Sequence, residues 1–109
     1  MRRLIIATSI LAFGMAAAYS KAPQDASVKP KSGFVPDAET AVKIGEAVLM
    51  PVYGERMIRD EEPFKAKREG DVWTVEGTLN CGAPQCVGGT AVVKISKTSG
   101  EILFMAHNK

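Results

Sequence analysis

Few residues in this chain are of types that do chemistry, and their spacing narrows what that chemistry could be. His107 is the only histidine. A nucleophilic triad needs a hydroxyl or thiol and an orienting carboxylate beside the imidazole, and zinc needs three or four ligands, so one histidine alone supplies neither. Cys81 and Cys86 are the only cysteines, with four residues between them. In an oxidising compartment an even pair reads as a disulfide. Closing so short a loop contributes roughly 2 kcal/mol in the chain-entropy picture. A redox pair and a metal site are the alternatives. Redox motifs place two residues between their sulfurs, and two thiols with one distant histidine leave a metal short of ligands.

Asp60, Glu61 and Glu62 form a carboxylate cluster, read here as a solvated helix face. Glycosidase-type work would need two carboxylates set across a cleft. Gly88-Gly89 has no basic neighbour and leads into a strand, so it is not a phosphate loop; it is expected to let the backbone bend or approach the helix closely. Tyr53-Gly54-Glu55 reads as a helix stop, with a recognition surface as the second reading. No catalytic residue, metal site or cofactor is assigned.

The element that must organise these residues is the stretch Val35 to Glu55, where helical periodicity is sustained. Ala38, Ala41, Val42, Gly45, Val48, Leu49 and Val52 recur at three- and four-residue steps and share one face. Glu39, Lys43 and Glu46 share the other, with Glu39 four residues ahead of Lys43 in the favourable order. Asp37 stands at the N-cap, where its carboxylate can accept from free amides of the first turn. Pro51 predicts a kink or stop near Val48 to Met50, and Gly54 ends what continues.

A short second helix is expected over Glu55 to Glu62, with Met57 and Ile58 inward, stopped by Pro63. Four strands follow: Phe64 to Glu69 as a charged edge, Val72 to Leu79, Thr90 to Ser96 and Glu101 to His107. In the second, Trp73, Val75, Gly77 and Leu79 share a face; in the third, Ala91, Val93 and Ile95 do. Apolar side chains on both faces of the last strand predict a central or strongly curved position. The fold class is α+β: one main helix and a short second one packed on a curved four-stranded antiparallel sheet.

Residues 1–20 show the three parts of a secretory signal: Met1-Arg2-Arg3, an uncharged run from Leu4 to Ala18, and small residues for a peptidase. The run of fifteen is short for a membrane span of about 20 residues, and no stable membrane association is expected after cleavage. Residues 21–33 read as a flexible tether and 34–109 as the domain. The formal charge of +2 belongs to Arg2 and Arg3, since the remaining basic residues balance the 12 acidic ones. A nucleic-acid binder would keep a basic surplus on its folded domain, so no nucleic-acid partner is assigned.

The order of motifs carries more than any one of them. Phe34-Val35-Pro36-Asp37-Ala38-Glu39-Thr40-Ala41, Pro51-Val52-Tyr53-Gly54-Glu55, Pro63-Phe64 and Val72-Trp73-Thr74-Val75-Glu76-Gly77-Thr78-Leu79 follow one another along the chain. Gly88-Gly89-Thr90-Ala91-Val92-Val93, Gly100-Glu101-Ile102-Leu103 and His107-Asn108-Lys109 complete the series. Together they resemble the bacterial immunity proteins with a nuclear transport factor 2-like fold, over Phe34 to Lys109. The resemblance implies a reduced version of that fold that binds and neutralises a cognate toxin, in a family without a common active site. The loop from Cys81 to Cys86 departs from the family pattern, as does Asn108, where glycine is common.

The resulting expectation is an exported, non-catalytic binding protein, periplasmic or secreted. Its contact surface is expected on the sheet face away from the helix together with the cysteine loop, with Tyr53, Trp73 and His107 as contributors, since aromatics are enriched at binding hot spots. The alternatives are a ligand-binding or enzymatic pocket in the sheet's concavity, which would need a buried carboxylate or tyrosine, and a structural protein of the envelope.

Overall fold

The computed structural model describes residues 27–81 and 88–109. Residues 1–20, expected as a signal, residues 21–26 of the expected tether, and Cys86 lie outside the described residues, and with Cys86 the expected Cys81–Cys86 bond. Helix α1 spans Ala38–Tyr53 and α2 spans Glu55–Asp60, followed by strands β1 (Lys65–Glu69), β2 (Val72–Glu76), β3 (Ala91–Ser96) and β4 (Ile102–His107). The strands form one antiparallel sheet in the order β1-β2-β3-β4, and α1 lies across β1, β2 and β3.

Helix α1 starts where the chemistry says it should. Asp37 Oδ1 accepts from the Thr40 amide at 2.8 Å, and those hydrogen bonds hold its carboxyl below the usual carboxylate range. Ala41, Gly45 and Leu49 are buried, with Val42 and Val48 packed beside them, while Ala38 and Val52 at the two ends of the expected stripe are exposed. Of the kink or stop expected from Pro51, the stop does not occur, since the helix runs on to Tyr53. Pro51 sits in the last turn, so only one turn loses support. That turn is held by the packing of Leu49, Met50 and Tyr53 and closed by Gly54 N–H donating to Met50 O at 2.8 Å. Gly54 has φ 95° and serves as the hinge between the helices, a conformation glycine adopts without steric cost. In α2 only Ile58 turns inward; Met57 is 46% exposed, because six residues make too few turns to cover both.

The core lies between α1 and the sheet. A Cβ on Gly45 would come within 2.8 Å of Val75 Cγ1 and 3.1 Å of Val93 Cγ1, so glycine sets how closely the helix approaches. Val75 pairs with Val93, which pairs with Met105; Trp73 pairs with Ile95. Directly paired residues share a face, and this is the face that α1 covers. Strands end earlier than the alternation suggests: β2 stops at Glu76, and Leu79 is 45% exposed.

The segment before α1 is stitched to the β3–β4 turn. Phe34 N–H donates to Thr98 O at 3.1 Å and Val35 N–H to Lys97 O at 3.0 Å. Fully buried Val35 also offers its carbonyl to the Trp73 indole N–H at 2.8 Å. The same turn is braced by Asp71, whose carboxylate accepts from Ser96 Oγ at 3.1 Å and Thr98 Oγ1 at 2.5 Å.

β4 is an edge strand, not a central one. Its apolar residues on both faces are partly uncovered, with Leu103 48% and Phe104 49% exposed. The doubly buried strand is β3, where Ala91, Val92 and Val93 are all buried. A register shift at Lys94/Ile95 places an extra residue in β4, a bulge of the kind that bends and twists an edge.

Candidate functional site

Glu61 follows α2 directly, with φ −97° and ψ 5°, where the chain leaves the helix. It is 8% exposed, the one buried charged residue among those described, and this overturns its assignment to a solvated helix face. Asp60 and Glu62 on either side remain exposed. The turn is nailed in place from β2's continuation: Thr78 N–H donates to Glu61 O at 2.7 Å, Thr78 Oγ1 to Pro63 O at 2.5 Å, and Asn80 Nδ2 to Glu62 O at 2.5 Å. Gly77 makes the room. A Cβ there would lie 2.9 Å from both Glu61 Cβ and Oε1.

The carboxylate uses both oxygens. Oε1 accepts from the Ala91 amide at 2.6 Å, and Oε2 lies 3.0 Å from His107 Nε2. A carboxylate only accepts, so Nε2 carries the hydrogen of this contact and, in the neutral ring, Nδ1 is left as an acceptor. His107 pairs with Ala91 across β3 and β4, which places it on the helix-covered side of the sheet. There its ring meets Tyr53 at the end of α1, centroid to centroid 5.6 Å with a 55° tilt. Tilted aromatic contacts of this length are favourable. Both rings are half-buried and reach solvent at the corner where α1, α2 and β4 converge.

Of the three residues expected at a contact surface, the structure brings Tyr53 and His107 together and separates Trp73. Trp73 is 8% exposed, belongs to the core, and spends its indole N–H on Val35. The open sheet face, where contact was expected, holds none of the three. Pairing places Lys65, Lys67, Thr74, Glu76, Lys94 and Phe104 there instead, with the Lys94 ammonium 5.7 Å from the Phe104 ring centroid. On that face a depression of about 400 Å³ is lined by Lys65, Lys67, Glu69, Thr74 and Glu76 among others. Its mixed charges match no single ligand sign. Gly89 approaches Asn108 rather than a helix: a Cβ would come within 2.3 Å of Asn108 O.

Sequence reasoning missed Glu61. Its partner lies 46 residues away, and no local periodicity links the two. Chemically, the corner orients one imidazole against a carboxylate each of whose oxygens meets a protein donor. Among the described residues, no group of three or more His, Cys, Asp or Glu side chains is arranged to hold a metal. The arrangement presents two packed, half-exposed aromatic rings, one of them oriented by a buried carboxylate.

The chain is 29% identical over 76 residues to the uncharacterized protein YhhH of Escherichia coli strain K12, covering 70% of this chain and 58% of that protein. It is 31% identical over 70 residues to the uncharacterized protein YbbC of the same strain, covering 63% of this chain and 55% of that one. The chain therefore spans little more than half the length of these relatives. No solved structure matches it. The family model for NTF2 fold immunity proteins matches residues 40–109, the α1-to-β4 unit just described, and the chain belongs to that family.

Proposed function

We propose that this chain neutralises a bacterial toxin by binding it directly, outside the cytoplasm, without transforming it. Membership of the immunity family over residues 40–109 is the observation that carries the reading. The signal-like leader supports the location, and in an oxidising compartment Cys81 and Cys86 would close their loop as a disulfide. The corner made by Tyr53 and His107 is the contact surface we favour. Its two rings are semi-exposed and mutually packed, and Glu61 holds His107, so little side-chain freedom is lost on binding.

The test pairs a genetic and a biochemical arm. Deleting the gene should make the producing strain sensitive to a toxin from its own or neighbouring cells. A tagged copy should recover a stoichiometric protein from the cell envelope, and that protein should kill the deletion strain when added back. His107→Gln and Tyr53→Leu keep most of the packing and should weaken capture without unfolding the domain. A deletion strain that shows no sensitivity, together with no recovered toxin, would sink the proposal.

A further inference from the structure

A neutral imidazole presents one donor and one acceptor, and what surrounds the ring decides which nitrogen does which. At His107 a single side chain makes that choice. Glu61 Oε1 accepts from the Ala91 amide at 2.6 Å, and Oε2 lies 3.0 Å from His107 Nε2. Ala91 and His107 are themselves paired across β3 and β4, so one strand pair supplies both donors to the carboxylate. Little room is left for it to turn. Gly77 lies so close that a Cβ there would stand 2.9 Å from Oε1, and rotation would give up the Ala91 bond. Nε2 therefore keeps its hydrogen.

The second nitrogen, Nδ1, is uncommitted. Among the described residues it has no hydrogen-bond partner, and none of their buried side-chain nitrogens or oxygens lacks one. Nδ1 thus reaches solvent, while the carboxylate behind the ring is largely withdrawn, the Glu61 side chain being 11% exposed and that of His107 26%. The Tyr53 ring, 5.6 Å away at a 55° tilt, packs against the imidazole and resists its rotation.

We propose that Glu61 is a positioning residue for recognition: by holding the Nε2 hydrogen it keeps Nδ1 as a fixed acceptor, and the partner protein meets Nδ1 with an N–H or O–H donor. This rests on the reading of the Tyr53–His107 corner as the contact surface. A carboxylate or carbonyl brought to the same point would set lone pair against lone pair, so the corner discriminates against an acidic surface there. The Glu61 charge behind the ring polarises Nδ1 as an acceptor and repels an anion.

His107 is the only histidine, so a long-range nitrogen–proton correlation spectrum of the nitrogen-15-labelled protein near neutral pH reads this ring alone. Wild type should show the neutral ring with its hydrogen on Nε2. Glu61→Gln keeps Oε1 on the Ala91 amide and turns an N–H toward His107. Nε2 must then accept, and the hydrogen should move to Nδ1. A Glu61 with only a structural role would lower stability in this variant and leave the ring as it was. With the partner recovered from the cell envelope, Glu61→Gln should weaken capture by roughly ten-fold while circular dichroism shows the fold intact. In the wild-type complex the Nδ1 resonance should shift and that of Nε2 should stay. Labelling the partner as well separates an N–H donor, which couples to Nδ1 through the hydrogen bond, from a hydroxyl, which does not. A free wild-type ring that is doubly protonated or carries its hydrogen on Nδ1 overturns the proposal. So does a Glu61→Gln ring that fails to invert, an inverted variant that captures as well as wild type, or a captured partner that leaves Nδ1 unshifted. These outcomes strike the role of Glu61 alone; a wild type that captures nothing removes the toxin-binding reading and the proposal with it.

Discussion

His107 Nε2 stands 3.0 Å from Glu61 Oε2, and the other oxygen of that carboxylate holds the Ala91 amide at 2.6 Å. One side chain thus ties the end of α2 to both β3 and β4. Replacing Glu61 with alanine leaves the Ala91 amide without its acceptor and opens space beside Gly77 and Phe64. The expected loss is about 2–3 kcal/mol in urea unfolding. Glu61→Gln keeps an acceptor for Ala91 and should lose less than half as much. Equal losses for the two variants would show that volume, not hydrogen bonding, is what Glu61 supplies.

Gly45 should resist substitution even though alanine is the better helix former. The propensity gain of about 1 kcal/mol is set against a Cβ placed 2.8 Å from Val75 Cγ1, in a core where both neighbours are β-branched and stiff. Overpacking of this kind costs roughly 1–3 kcal/mol. Gly45→Ala is therefore expected to destabilise by about 1 kcal/mol, and Gly45→Ala with Val75→Ala should show favourable coupling in a double-mutant cycle. Additive losses would mean that the helix simply lifts away.

Trp73 should behave as a staple and not as a contact residue. Trp73→Phe removes the donor to Val35 O, and about 1–2 kcal/mol should go with it. The amides of Phe34 and Val35, bonded to Thr98 and Lys97, should then exchange with deuterium faster than those of α1. Unchanged exchange at both would mean that the Trp73 bond does not hold the segment.

Glu46 offers a pH test. Burial raises its pKa above the ordinary 4.5, and the Glu62 carboxylate adds to the shift. A carboxyl whose folded pKa is raised binds its proton more tightly in the folded state. Its ionisation therefore erodes stability as pH climbs from 4.5 through the folded value. Glu46→Gln should melt higher than wild type at pH 7, on the order of 2 °C, and the gap should close on acidification. A gap that persists at low pH would point to helix propensity instead.

Local rules reached a good part of this molecule. Asp37, the stripe through Ala41, Gly45 and Leu49, and the alternation of Trp73 with Val75 and of Ala91 with Val93 and Ile95 are properties of neighbours three, four or two residues apart. Such spacings are visible in a linear string. They carried the α+β class, the order of elements and the inward faces of α1, β2 and β3. The helix runs past Pro51 because a local penalty is outweighed there by tertiary packing, and Met57 stays exposed because α2 is too short to turn both it and Ile58 inward.

The candidate site was half legible. Tyr53 and His107 stood out as an aromatic at a helix end and a lone imidazole, yet nothing in their spacing said that they touch. Only the closed fold decided that β4 lies on an edge, that Trp73 belongs to the core, and that Glu61 leaves water to meet Ala91 and His107. The reason is physical. Periodicity reports which way a side chain points along its own element, whereas burial and partnership depend on what another element, tens of residues distant, brings to that spot.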